Sequence, residues 1–242
     1  MRKIIFTALV AALTFPGAAD AATVMYPTVA ELFTSQSCSS CPPADDLMRE
    51  KAAADPGLLV LSYHVNYWDH TGWKDMFSSQ GSTDRQRGYY TALHENMFYT
   101  PELVVNGMIS MIGSDENKAS LALASYKIDP PLYNIEIEPL LGKQKPLWVL
   151  VNSTTGASTR FPVDVWAITY ISYARTRIAG GENEGRTVEN INNVTSITKL
   201  GQLAGNSARY QLPDFGKRKD LVAVIVQQNN QGPILAAATY QP

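Results

Sequence analysis

Cysteine is nearly absent from this chain: 242 residues contain two, Cys38 and Cys41. They stand two residues apart, so no disulfide within the chain ties distant segments together. A loop that small restrains the unfolded chain weakly, by about 2 kcal/mol before any strain is subtracted. Histidine is scarce as well, at three residues, and there is neither a second Cys-x-x-Cys nor a closely spaced histidine pair. A complete four-ligand zinc set is therefore missing. Charge is sparse and balanced, with 20 basic residues against 22 acidic ones scattered along the chain and a net charge of −2. That excludes the clustered basic surface of a nucleic-acid-binding protein. The apolar run at residues 4–15 falls short of the roughly 20 residues a membrane-spanning helix needs, and no later segment is longer and free of charge. Low-complexity tracts and internal repeats are lacking too. The glycine-rich stretch at 180–185 is without the Lys-Ser/Thr of a phosphate loop.

What is present begins with an export leader. Met1-Arg2-Lys3 is basic, residues 4–15 are apolar, and Ala19-Asp20-Ala21 has the small-x-small form of a signal-peptidase site. Residues 1–21 are expected to be a signal peptide, which delivers the mature chain to the periplasm or the exterior. Those compartments are oxidising, and disulfides persist there. With 45% hydrophobic residues, the mature chain can bury a substantial core.

Residues 24–33 read as a strand leading into the cysteines. Residues 43–54 read as a helix with Asp45 and Asp46 in its first turn, where acidic groups suit the helix dipole. The nearly continuous apolar run at 57–65 is of the kind found in a buried parallel strand, which completes a β-α-β unit. A helix at 83–95, a strand at 103–105 turning at Asn106-Gly107, and a helix at 116–126 follow, until Asp129-Pro130-Pro131 breaks the pattern. Beyond it, segments 134–140, 147–152, 163–171, 208–212 and 221–227 are short, rich in Val, Ile, Tyr and Trp, and separated by Gly, Pro and Asn. Such spacing predicts an all-β sandwich or barrel. The reading is an α/β domain over 22–129 followed by an all-β sandwich-like domain over 130–242, with no element assigned at 179–203.

Several motifs carry a resemblance. Glu31-Leu32-Phe33-Thr34-Ser35-Gln36-Ser37-Cys38-Ser39-Ser40-Cys41-Pro42-Pro43-Ala44-Asp45 is the longest. Tyr63-His64-Val65-Asn66-Tyr67-Trp68-Asp69, Tyr99-Thr100-Pro101-Glu102-Leu103-Val104-Val105-Asn106-Gly107 and Gly181-Glu182-Asn183-Glu184-Gly185-Arg186-Thr187 are the others. Together they resemble the domain-of-unknown-function 1223 family of secreted proteins, placed in the thioredoxin-like superfamily. The resemblance implies a thioredoxin-like fold for the α/β half. It also implies that Pro101 is a cis-proline facing the cysteine pair, with Thr100 offering backbone groups to an extended substrate. Ser37, Asn66 and Glu102 depart from the residues usual in the family, which are Gly, Asp and Gln.

The chemistry of the pair follows from the residues themselves. A thiolate is the attacking species, and a helix N-terminus and exposure both favour it. Cys38 is therefore the expected nucleophile, and Cys41 the thiol that resolves a mixed disulfide. Pro42 biases Cys41 away from helical geometry, so the helix is expected to start at Pro42 or Pro43. Asp45 and Asp46 oppose thiolate formation nearby. Glu31 reads as a solvated strand-end carboxylate ahead of a buried acid that shuttles protons to the resolving thiol, and His64 as a hydrogen-bonded structural histidine ahead of a proton carrier. Tyr63, Tyr67, Trp68, Trp73, Tyr89 and Tyr90 read as core aromatics ahead of the lining of a peptide groove near the disulfide. Residues 180–185 read as a turn that docks the two halves. The function expected is an exported thiol–disulfide oxidoreductase acting on protein or peptide thiols through Cys38 and Cys41, with Thr100 and Pro101 binding substrate. A second protein would recycle the pair, and neither cofactor nor metal is required. The rivals are a non-catalytic binding or assembly module with a structural disulfide and, behind it, a copper or zinc carrier using both thiolates with His64 or His70.

Overall fold

The computed structural model describes residues 22–139, 146–156, 159–214 and 220–241. The expected signal peptide, residues 1–21, lies outside them. Two short strands open the described chain, β1 (Ala22–Met25) and β2 (Thr28–Thr34), where one strand was expected. Pro27 between them has no amide hydrogen to contribute to a ladder. Helix α1 (Pro42–Ala54) and strand β3 (Leu58–His64) follow, and β2 and β3 pair in parallel as the predicted β-α-β unit. Next come α2 (Gln80–Ala92), the hairpin of β4 (Glu102–Val105) and β5 (Ile109–Ile112), and α3 (Glu116–Ser125). Asn106 and Gly107 turn the hairpin at φ of 48° and 64°, left-handed values that Asn and Gly tolerate, and Met108 completes the three-residue connection.

The second half is built from β6 (Tyr133–Pro139), β7 (Leu147–Ser153), β8 (Val163–Arg177), β9 (Thr187–Gln202), β10 (Ser207–Gln211), β11 (Asp220–Gln228) and β12 (Ile234–Gln241). Nine strands form one mixed sheet in the order β1-β12-β11-β8-β9-β3-β2-β4-β5, and β10-β7-β6 form a smaller one. Among the described residues, 45% lie in strands and 18% in helices, and the protein is mostly β. The expectation of an α/β thioredoxin-like domain followed by an all-β sandwich-like domain is thus corrected. Strand β9 is the cause. It pairs antiparallel with β8 along almost its whole length and meets β3 in parallel at Asn193 opposite Ser62. The strands of the second half therefore extend the sheet of the first.

Three apolar clusters hold the layers. Helices α1 and α3 cover Leu32, Val60, Leu103 and Val105 on one face through Ala44, Leu47, Met48, Ala119 and Ala122. On the other face, Tyr89 of α2 joins Phe33, Leu61 and Tyr63 to Ile168 of β8 and Ile225 of β11. The small sheet packs Ile135, Ile137, Val149 and Val151 against Val165, Val222, Val224 and Ala236 of the large one. Strand β11 is covered on both sides, Val222 and Val224 by one cluster and Ala223 and Ile225 by another. Each valine or isoleucine among them contributes about 1.5–3 kcal/mol by leaving water.

Candidate functional site

Cys38 and Cys41 are joined by a disulfide in the loop between β2 and α1. Two successive turns shape the loop: the Cys38 amide donates to the Ser35 carbonyl and the Cys41 amide to the Cys38 carbonyl, each at 3.2 Å. The helix begins at Pro42, as the prolines predict. Cys41 nonetheless adopts helical geometry as its N-cap, at φ −77° and ψ −40°, so proline's bias on the preceding residue is overridden. The carbonyl of Cys41 accepts from the amides of Ala44 and Asp45, which fixes that conformation.

Pro101 lies directly across from the pair. The Thr100–Pro101 bond is cis, and the Thr100 carbonyl oxygen is 3.9 Å from Cys38 Sγ. The Ser40 hydroxyl stands between them, 3.2 Å from the sulfur and 3.5 Å from that carbonyl. Thr100 is fixed in turn by Trp68, whose indole nitrogen donates to Thr100 Oγ1 at 2.8 Å. Gln86 holds the flanks of the segment, donating to the Tyr99 carbonyl and to Glu102 Oε2. Burial raises the pKa of Glu102 against the opposing effect of its hydrogen bonds from Gln86 and Ser110. All four sequence-derived site residues, Cys38, Cys41, Thr100 and Pro101, therefore share one place. Both sulfurs are enclosed, with Cys38 1% and Cys41 0% exposed. Ser39 and Ser40 form the exposed edge of the loop.

A model of the family described as "Protein of unknown function (DUF1223)" matches residues 29–227. The chain belongs to that family. It is also similar to the crystal structure of a protein from Agrobacterium tumefaciens, a structural-genomics target, at 26% identity and a TM-score of 0.71. The match covers 89% of this chain and 93% of that one. No curated protein matches this chain.

In this member of the family, a buried charged group underlies the cysteine loop. Asp75 Oδ2 accepts from the Gln36 amide at 2.8 Å and contacts His64 Nδ1 at 2.6 Å, while His64 Nε2 meets Asn193 Oδ1 at 2.9 Å. Burial works against charge on His64, but the charge of Asp75 and its hydrogen bond prevail and raise the histidine's pKa. Asp75 is the mirror case. Burial would raise it, and the charge and hydrogen bond of His64, with amides of Gln36 and Phe77, hold it below the usual carboxylate range. Each partner thus favours the charged form of the other. The structural reading of His64 stands on these contacts.

Asp45 sits one turn beyond Cys41 and is also buried. Burial pushes its pKa up to about 7, against the lowering effects of His64 and the Thr34 hydroxyl. Glu31 corrects the sequence reading: it is fully buried, not solvated. Arg85 grips both its carboxylate oxygens, Tyr89 adds a hydrogen bond, and Gln227 completes the cluster. Glu31 shares its strand face with Val29 and Phe33, toward α2, whereas α1 covers the face of Ala30 and Leu32. It thus takes no part in the cysteine site.

The turn between β8 and β9 clamps the cysteine loop from above. Asn183, fully buried, donates to the carbonyls of Gln36 at 3.0 Å and Cys38 at 2.8 Å. Glu182 Oε2 accepts from the Ser39 amide at 3.0 Å. The sequence marked this turn as a docking element without showing that the cysteine loop is what it docks on. Asp75 carried no such mark, and Trp68 only the alternative reading as a groove-lining aromatic. Tyr63 and Tyr89 are core, while Tyr67 and Tyr90 pack with Phe98 near Thr100 and stay partly exposed. Among the described residues, no group of three or more His, Cys, Asp or Glu side chains could hold a metal ion.

Proposed function

We propose that the protein is an exported thiol–disulfide oxidoreductase acting on protein or peptide thiols, with Cys38 and Cys41 as its redox pair. The observation that carries this reading is the position of Cys38 Sγ at the end of α1, beside the Ser40 hydroxyl and the Thr100 carbonyl. A peptide extended along Thr100 would bring its own sulfur to Cys38. In the reducing direction the Cys38 thiolate attacks a substrate disulfide and expels one substrate thiolate. The Cys41 thiolate then attacks Cys38 Sγ and expels the second. The substrate ends as a dithiol and the pair as a disulfide; the oxidising direction reverses each step. A redox partner returns the pair to its starting state.

The enclosure of both sulfurs and the clamp by Asn183 favour a second reading, a binding or assembly module whose disulfide only braces the loop. Trapping separates the two. With a disulfide-containing peptide, reduced Cys41→Ser protein of the enzyme accumulates a mixed disulfide on Cys38, and Cys38→Ser protein accumulates none on Cys41. A folded Cys41→Ser variant that forms no adduct supports the module.

A further inference from the structure

A cavity lies along the side of α1, away from the exposed edge of the cysteine loop. Its volume is about 440 Å³, inside the range of roughly 300–1,000 Å³ for small-ligand pockets. One wall is the helix face of Pro42, Asp45, Asp46 and Arg49, positions whose spacing puts them on one side of the helix. The other wall is the turn end of the β8–β9 hairpin, including Arg175, Arg186 and Glu189. Six buried side-chain polar atoms among the described residues have no hydrogen-bond partner, and two of them, Asp45 Oδ1 and Arg49 Nε, belong to this wall. An unpartnered buried group costs about 1–3 kcal/mol, so two on one helix face call for an explanation.

Both atoms act as donors. The Thr34 hydroxyl donates to Asp45 Oδ2, which leaves Oδ1 to carry the proton that burial retains up to about pH 7. Arg49 Nε carries a hydrogen at all accessible pH. The guanidinium groups of Arg175 and Arg186 add donors from the opposite wall. Asp46 at 2.7 Å from Arg49 and Glu189 at 3.5 Å from Arg175 offset only part of that charge. The cavity is therefore net positive while Asp45 is protonated. Charge-assisted bonds from guanidinium to oxyanion are the strong ones.

We propose that this cavity binds a small oxyanion, a carboxylate or a phosphate, through Arg49 Nε and Asp45 Oδ1 with Arg175 and Arg186 closing over it. The site is independent of the redox reading, since no step of it involves sulfur. Asp45 is also faced by Thr34 of β2, His64 of β3, Asp75 beyond it and Asp46 on its own helix. Ionisation of Asp45 removes a donor and adds a negative charge to the cavity wall. Affinity falls as pH rises.

The test is a titration of isotope-labelled oxidised protein, following the Arg49 Nε–H resonance and the amides of α1. Succinate and inorganic phosphate, each at the lower pH, identify which oxyanion the site prefers. Sulfate, whose charge is constant over the interval, carries the pH comparison: binding weakens roughly tenfold from about pH 6 to about pH 8, as the competent protonation state is depleted. Arg49→Gln abolishes binding at an unchanged melting temperature, and Asp45→Asn binds sulfate equally at both pH values. The proposal is overturned if no probe shifts these resonances at the lower pH, as when ordered water alone satisfies the two atoms. It is also overturned if binding survives Arg49→Gln or if wild-type sulfate binding ignores pH.

Discussion

Asp45, His64 and Asp75 set the electrostatics beneath the cysteine loop, and each carries a consequence for stability. The folded chain keeps a proton on Asp45 up to about pH 7, whereas its ordinary value is 3.8. Over that interval the folded state binds more protons than the unfolded one, so this residue lowers stability as pH rises. The difference between those two values corresponds to roughly 4 kcal/mol. Asp45→Asn should therefore flatten the fall in stability across that window and leave the variant more stable than wild type above neutral pH, as urea midpoints at several pH values will read. His64, also raised, acts in the same sense as Asp45, and Asp75 in the opposite one. The raised histidine stabilises at low pH, losing its contribution as pH rises through its folded value; the depressed aspartate stabilises above its ordinary range and loses that contribution on acidification. Asp75→Asn leaves His64 without its charge partner and should cost about 3 kcal/mol in urea unfolding.

At the scale of elements, the β8–β9 turn and the cysteine loop form one unit. Asn183→Ala removes two hydrogen bonds from buried carbonyls, for a loss of about 2–3 kcal/mol. The same variant should expose the disulfide and speed its reduction by dithiothreitol, which thiol titration over time will show. Gly180 belongs to this unit as well. A Cβ there would lie 2.4 Å from the Gly72 carbonyl oxygen, so Gly180→Ala should lower the melting temperature by several degrees, as calorimetry will detect. The loop and the helix after it were legible in the sequence because the Cys-x-x-Cys, the prolines and the apolar run of β3 each signal locally. Strand β9 was not. Its Asn190, Asn192 and Asn193 have the composition of a turn, yet Asn190 and Asn193 are buried, and Asn193 meets His64 while Asn192 donates to the Val60 carbonyl. Tertiary partners hold Asn192 and Asn193, and no local pattern encodes such partners. Glu31 was misread for the same reason, since Arg85 stands 54 residues away.

Across the whole molecule, the nine-stranded sheet makes the two halves interdependent. Strands β2, β3 and β4 and helix α2 share the Phe33–Tyr63–Tyr89 cluster with β8 and β11, so residues 22–129 expressed alone should show no cooperative unfolding transition by circular dichroism. The cysteine site draws on both halves, and so does its chemistry. The reduction potential of the Cys38–Cys41 couple, measured in glutathione buffers with the alkylation rate of Cys38 in parallel, addresses the redox claim most directly. The expected result is a potential between about −120 and −270 mV, the span of dedicated oxidoreductases, with a Cys38 that reacts faster than Cys41. A potential below about −300 mV with an unreactive Cys38 is the behaviour of a structural disulfide and would contradict the account.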